Sequence, residues 1–431
     1  MSVPIANGPR CRRPRIGVAL GGLLALAACA DPPTDTTASP DGGITARPPA
    51  AIATSPTISP LVTAECPAGT TTASGALPGS GALYLICVPP AWNGSLVVYA
   101  HGYVNPFDPM AIQDDVVAGF RVSQIITGLG YAFATTSYRN NGLIIFEAEK
   151  DLQRVVGTFQ RLVGSVPGAT VVVGVSEGAL VAVLAAERNP KLFDGAFAAC
   201  GPVGDFATQI NYLNDFRVLF DFFFPGVIPG SVIAIPDAVI QAWLLPLGAP
   251  GSLQTGVLAS LAANPVATAQ LLAAAGITLP PSPPPELVGG TVLRLLNYNI
   301  LGTLDAQQQL GGQPFDNTDR IYPSPVDNEA VPRFAADQPA LSHMKAMFTT
   351  DGKLSVPVVT IHNLFDPVVP YGQEALYAAK VQQAGASALL TQVPGAQLSS
   401  PFGHCTFTLA EVQGAFGLLA SQLAGQGVAL H

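Results

Sequence analysis

From Ala169 to Val173 the chain is an unbroken apolar run, and from Ala179 to Arg188 it is an alanine- and leucine-rich stretch of helical character. Only Gly174-Val175-Ser176-Glu177-Gly178 lies between them. A short β-branched run bounded by glycine reads as a strand buried on both faces, and such strands belong to parallel sheets covered by helices. Five residues leave no room for a loop. The chain must turn from strand to helix almost on the spot, which small residues on either side of Ser176 permit. This unit restricts the fold to an α/β architecture.

The rest of the chain repeats the alternation. Gly81–Val88, Ser95–Ala100, Ala132–Thr136, Gly195–Ala199, Val356–Ile361 and Leu389–Val393 read as strands. Glu147–Val163, Gly372–Ala384 and Leu409–Leu423 read as helices between or after them. Strands separated by helices imply a mostly parallel sheet flanked by helices. The exception is residues 204–351, too long for a structureless loop in a compact domain. This interval carries Phe220, Phe222, Phe223 and Phe224, the pair Leu244-Leu245, the alanine-rich run Leu258–Ala275 and the proline-rich run Pro280–Pro285. It reads as short apolar helices broken by prolines, inserted as a helical cap. Its phenylalanines have two readings: the cap's own small core, or a surface for lipid or polymer. The core domain is then 65–203 with 352–431. No repeat of solenoid length interrupts this scheme.

The first residues are of another kind. Arg10, Arg12, Arg13 and Arg15 precede an apolar segment, Ile16–Leu24, and no acid occurs before Asp31. This is the pattern of an export signal, expected over residues 1–28. Even followed on to Cys29, the run of about fourteen apolar or small residues is short for a bilayer core of roughly 30 Å. Leu26-Ala27-Ala28-Cys29 resembles the lipobox of bacterial lipoproteins, which implies lipidation at Cys29 and a membrane anchor in the cell envelope. Cleavage after Ala28 as an ordinary secretory signal is the alternative, and Arg12-Arg13 is compatible with twin-arginine export. Residues 29–64, rich in Pro, Thr, Ser and Ala, read as a disordered tether.

Charge and cysteines agree with export. The chain has 19 basic and 28 acidic residues, and four of the basic ones fall in the signal. No basic stripe is present, which argues against a nucleic-acid partner. Beyond Cys11 and Cys29 stand Cys66, Cys87, Cys200 and Cys405. In an oxidising compartment four cysteines suggest two disulfides out of three pairings. The segment between Cys66 and Cys87 reads as a hairpin, which favours Cys66–Cys87 and leaves Cys200–Cys405. The alternative is that a pair stays reduced. Thiols so far apart give no metal motif, and no cofactor-binding signature occurs; neither a metal nor a cofactor is expected.

A Gly-x-Ser-x-Gly between strand and helix is the nucleophile elbow of serine hydrolases. On that motif and the strand–helix order, the chain resembles the α/β-hydrolases from about residue 81 to its end, apart from the cap. The resemblance implies a nucleophile, an acid and a histidine, in that order along the chain. Ser176 is the nucleophile. Of five histidines, His404 lies in Pro401-Phe402-Gly403-His404-Cys405, after the last strand and before the last helix, where the family carries its base. His101, His343, His362 and His431 fit less well; His362, ending a strand, is placed to line the site without acting as base. Asp366 follows the strand Val358–Ile361 and is the candidate acid, with Asp316, Asp319 and Asp327 read as solvated cap-loop residues.

His101-Gly102-Tyr103 matches the family's oxyanion loop, implying that the N–H groups of Tyr103 and Glu177 receive the oxyanion. The Glu177 side chain is then expected only to complement a helix dipole. His404-Cys405 is similar to half of the tannase and feruloyl-esterase pattern. Val175 stands where the other cysteine of that pattern belongs, and a Cys200–Cys405 bond would serve the same rigidifying purpose. The implied activity is hydrolysis of carboxylic esters, of small molecules or polymers, with hydrophobic groups. A peptidase or amidase on the same fold, or a ligand-binding surface lipoprotein, are the alternatives.

Overall fold

A computed structural model describes residues 64–430. The expected signal over 1–28, the lipidation site Cys29, the tether up to Thr63 and the terminal His431 lie outside the described residues.

The chain begins with a hairpin, β1 (Thr71–Ala76) and β2 (Leu83–Val88), then β3 (Ser95–Ala100). A two-stranded ribbon, β4 (Val116–Val117) and β5 (Phe120–Arg121), leads into α1 (Val122–Gly128). There follow β6 (Ala132–Thr136), α2 (Ile145–Val163), β7 (Ala169–Val175), α3 (Glu177–Arg188) and β8 (Gly195–Ala199). After a helical segment come β9 (Val358–Ile361), α10 (Gly372–Gln383), β10 (Leu390–Val393) and α11 (Leu409–Gly425). The hairpin read between Cys66 and Cys87 is β1 with β2, but the sequence pattern did not announce the ribbon or α1. Both are short and largely polar or mixed, so their pairing is decided by neighbours they meet only in the fold.

Eight strands form one sheet in the order β1-β2-β6-β3-β7-β8-β9-β10. β3 and β6–β10 are mutually parallel, while β2 runs antiparallel to β6 and β1 antiparallel to β2. β3 shows why the strands read as continuous apolar runs. Leu96, Val98 and Ala100 enter one core with α2 and α3, and Val97 and Tyr99 enter another with α1 and α11. With helices on both faces, alternation of apolar and polar residues disappears.

Six helices fill the interval between β8 and β9: α4 (Phe206–Phe223), α5 (Asp237–Leu244), α6 (Leu253–Ala263), α7 (Pro265–Ala274), α8 (Pro285–Leu310) and α9 (Gln338–Met347). Proline does break them as expected: α6 and α7 meet at Pro265 with a bend of 103°. The helices are not all short, however. α8 runs 26 residues, because the prolines before it end at its first turn, where a missing N–H costs nothing.

The segment has its own core, built around Trp243, Phe216, Phe220, Leu295 and Leu296. This overturns the reading of Phe220–Phe224 as a lipid or polymer surface. Phe220 and Phe224 are buried and stacked with ring centroids 5.2 Å apart, and Phe222 and Phe223 pack against the same core.

Candidate active site

Register places the site. Gly174 of β7 pairs with Ala100 of β3, Val175 with Ala199 of β8, and Ala199 with Ile361 of β9. The residues that follow these strands, His101, Ser176, Cys200 and His362, therefore emerge at one edge of the sheet. β3 is where the strand order reverses, with β6 on one side and β7 on the other, and the carboxyl ends of strands at such a point form a crevice.

Ser176 sits on the turn from β7 to α3 with φ 57° and ψ −124°, a left-handed conformation costly for a residue with a Cβ. The flanking glycines make that turn possible. A Cβ on Gly174 would lie 2.0 Å from Gly178 O, and one on Gly178 would lie 2.1 Å from Ala100 O. Gly102 approaches from the end of β3, where a Cβ would stand 3.2 Å from Ser176 Cβ. A serine on a strained turn between a parallel strand and a helix, set in this strand order, decides the fold. It is the α/β-hydrolase fold.

No protein-family model and no curated protein matches the chain. Among solved structures it is similar to feruloyl esterase B from Aspergillus oryzae, at 14% identity and a TM-score of 0.43, over 82% of this chain and 80% of that one. A Pyrococcus furiosus esterase aligns at 9% identity and a TM-score of 0.40, over 83% and 90%. An acylaminoacyl peptidase from Pyrococcus horikoshii aligns at 11% identity and a TM-score of 0.37, over 80% of this chain; the chain spans only 38% of the peptidase's length.

The three side chains singled out from the sequence converge. Ser176 Oγ donates to His404 Nε2 at 2.9 Å, and His404 Nδ1 donates to Asp366 Oδ2 at 2.7 Å. Asp366 Oδ1 accepts the N–H groups of Val368 and Val369 at 2.8 and 3.0 Å. Burial opposes the Asp366 charge, but His404 and His362 overcome it and hold the carboxyl at about 2.

Neighbours lock this arrangement from two sides. α4 grips the loop after Asp366, Gln209 donating to Val368 O at 2.9 Å and Tyr212 to Pro367 O at 2.6 Å. Asn363 brackets the histidine loop, donating to Ser400 O and Thr406 O and accepting from Thr406 N. Cys200–Cys405 ties that loop to the end of β8, and Cys66–Cys87 ties the segment before β1 to β2. Cys200, His404 and Cys405 bring potential metal-ligand atoms within 4.8 Å of one another, but the two sulfurs are bonded to each other. This grouping offers no thiolate.

Of the other histidines, His101 is buried, stacks on Tyr138 with centroids 4.0 Å apart, and bonds through Nδ1 to Gly102 O at 2.7 Å. Its burial lowers its pKa. His343 lies on α9.

His362 does not line the cleft; it is wholly buried behind Asp366. Its Nε2 faces Val369 O at 2.9 Å and Asp366 Oδ2 at 3.3 Å, and its Nδ1 faces Glu374 Oε1 at 3.4 Å. Burial disfavours a charged ring here, yet Asp366 and Glu374 lift the pKa to about 10. Both nitrogens face acceptors, so the ring is an imidazolium. Sequence spacing gave no hint of this, since Glu374 is contributed by α10.

The cleft beside Ser176 has a cavity of about 80 Å³, room for several water-sized groups. Its walls are mainly apolar. Besides Tyr103 and Glu177 it is lined by Leu213 from α4 and by Tyr298, Gly302 and Ala306 from α8. The α8 residues were not singled out from the sequence, because only the packed helix shows which of its faces meets Ser176.

Glu177 departs from expectation. Rather than a solvated charge beside a helix end, its side chain is buried, and burial together with Asp305 pushes its pKa up to about 8. It is mostly protonated at neutral pH, so it adds little charge to the α3 dipole.

Proposed function

We propose that the protein is an exported serine hydrolase that cleaves carboxylic esters bearing apolar groups, through an acyl-enzyme. Ser176 Oγ passes its proton to His404 Nε2 as it attacks the ester carbonyl, and Asp366 holds the Nδ1–H tautomer and balances the imidazolium. The oxyanion is received by the N–H of Tyr103 and the N–H of Glu177, which opens α3 and has no carbonyl one turn back to satisfy it. His404 returns its proton to the leaving alcohol oxygen as the C–O bond breaks. Water then attacks the acyl-enzyme, with His404 again as base, releasing the acid and restoring the serine. The observation that carries this reading is the continuous chain Asp366–His404–Ser176, at 2.7 and 2.9 Å.

The apolar walls of the cleft favour hydrophobic acyl or alcohol groups. Residues 204–351 act as a cap: α4 and α8 supply much of the lining, and α4 also steadies the Asp366 loop. Export, with a signal over 1–28 and a lipid anchor at Cys29, is supported by the two disulfides, which persist in oxidising compartments. The acidic side chain in the cleft favours one second reading, an amidase or peptidase with the same three residues. p-Nitrophenyl butyrate set against aminoacyl p-nitroanilides separates the two.

The test is labelling with a fluorophosphonate probe beside turnover of p-nitrophenyl butyrate. Wild type is expected to label and turn over. Ser176→Ala is expected to do neither, with turnover down by about 10⁴–10⁶-fold. A folded wild type that resists the probe, or a Ser176→Ala variant that labels equally, refutes the proposal.

A further inference from the structure

One polar corner of the apolar cleft has no partner among the described residues. Glu177 is 7% exposed and lines the cleft beside Ser176, yet its Oε1 has no hydrogen-bond partner. Tyr103 Oη, in the same wall, is also buried and unpartnered.

The corner is built. At the entry to α2, Leu143 N–H donates to Asp305 Oδ2, and the next amide, that of Ile144, favours the charged form of Glu177. Asp305, on α8, is itself raised to about 6, chiefly by burial. The titratable groups that face Glu177 are Asp305 and Tyr298 from α8, Tyr103 after β3 and Tyr138 after β6. None is a cation. A buried carboxyl oxygen with no partner, beside a second buried acid, costs stability unless something arrives to use it. Tyr103 and Tyr298, in an edge-to-face pair with centroids 5.4 Å apart, add aromatic surface suited to a cation. Gly302 keeps the space open, since a Cβ there would stand 3.3 Å from Tyr103 Oη.

We propose that the corner formed by Glu177 and Tyr103 Oη, with Asp305 behind it, is a subsite for a primary ammonium group, so that the preferred substrate joins an apolar body to a cationic amine. This deepens the serine-hydrolase reading and rests on it for the word substrate. The ammonium donates to Glu177 Oε1 and Tyr103 Oη and supplies the missing charge. A hydroxyl would satisfy the oxygen but would not balance a Glu177 carboxylate. For Glu177 to pair as a carboxylate it must give up its proton, so ammonium binding strengthens as pH rises towards 8 and levels off above it.

The test measures binding, not turnover. Hexylammonium and 1-hexanol are titrated calorimetrically into the full chain from pH 6 to 9, in wild type, Ser176→Ala and Glu177→Gln. At pH 8 hexylammonium is expected to bind wild type and Ser176→Ala at least about tenfold tighter than hexanol. Its affinity should climb from pH 6 to 8 while that of hexanol stays flat. Glu177→Gln should bring the two ligands within about twofold of each other and flatten the pH profile. Should that variant not fold, Asp305→Asn is expected to weaken hexylammonium severalfold and spare hexanol. Equal binding of the two ligands to wild type, no binding of hexylammonium, or an ammonium preference that survives in folded Glu177→Gln overturns the proposal. Failure to turn over p-nitrophenyl butyrate strikes the hydrolase reading instead, and the ammonium subsite stands or falls by the titration alone.

Discussion

Replacing Glu177 by Gln should change how the stability of the fold depends on pH. The side chain is buried, and its pKa rises from 4.5 to about 8 in the folded protein. Between those values the unfolded chain has lost this proton and the folded chain still holds it. The folded state binds more protons throughout that window, so stability falls as pH rises. The contribution is complete below pH 4.5 and gone once pH passes about 8. At about 1.4 kcal/mol per pH unit, the whole window is worth on the order of 5 kcal/mol, an upper value because a buried carboxylate draws in water and relaxes. Gln keeps the shape and the polar contacts but does not titrate. Urea unfolding at pH 5, 6, 7 and 8 reads the effect directly. Wild type should lose several kcal/mol relative to Glu177→Gln between pH 5 and 8, with the variant the more stable at the alkaline end. Parallel stability profiles for the two proteins would refute the burial argument, and with it the acidic corner of the cleft.

Two further outcomes follow from the neighbours of Asp366 and His404. His362→Gln removes a positive charge from behind Asp366, which leaves the carboxylate freer to stabilise a protonated His404. The acidic limb of kcat/KM for p-nitrophenyl butyrate should move to higher pH, by about one unit. An unmoved limb with reduced kcat would mean that His362 only packs. Cys200 and Cys405 are 205 residues apart, and a crosslink over so long a loop is worth about 5 kcal/mol by loop entropy. Replacing both by Ser should lower the denaturation midpoint, and should lower kcat more than it raises KM because the His404 loop is loosened. An unchanged kcat would show that Asn363 alone holds the loop.

The contrast between Ser176 and Glu177, adjacent in the chain, shows where sequence reasoning stops. Ser176 was legible because its chemistry is tied to a local pattern: a buried strand, two glycines that no other residue could replace, and a helix. The same is true of the sheet, whose parallel strands are short apolar runs at helix-sized intervals. His404 and Asp366 were legible through their places after successive strands, once the alternation of strands and helices was read. The character of Glu177 depends on Asp305, contributed by α8 about 130 residues later, and on Ile144, neither of which any local pattern connects to it. His362 is similar: beside a strand end it looks like a lining residue, and only α10 packing behind it makes it an imidazolium.

Periodicity, glycine placement and the order of elements are properties of the chain itself, so the α/β layering and the candidate nucleophile, acid and base could be read from them. The shape of the cleft, the faces of α4 and α8 that line it and the inward turn of Phe220 and Phe224 arise from packing between distant segments. The charge states of Glu177 and His362 arise in the same way. Burial and electrostatic fields are sums over neighbours in space, and the neighbours are chosen only when the chain folds.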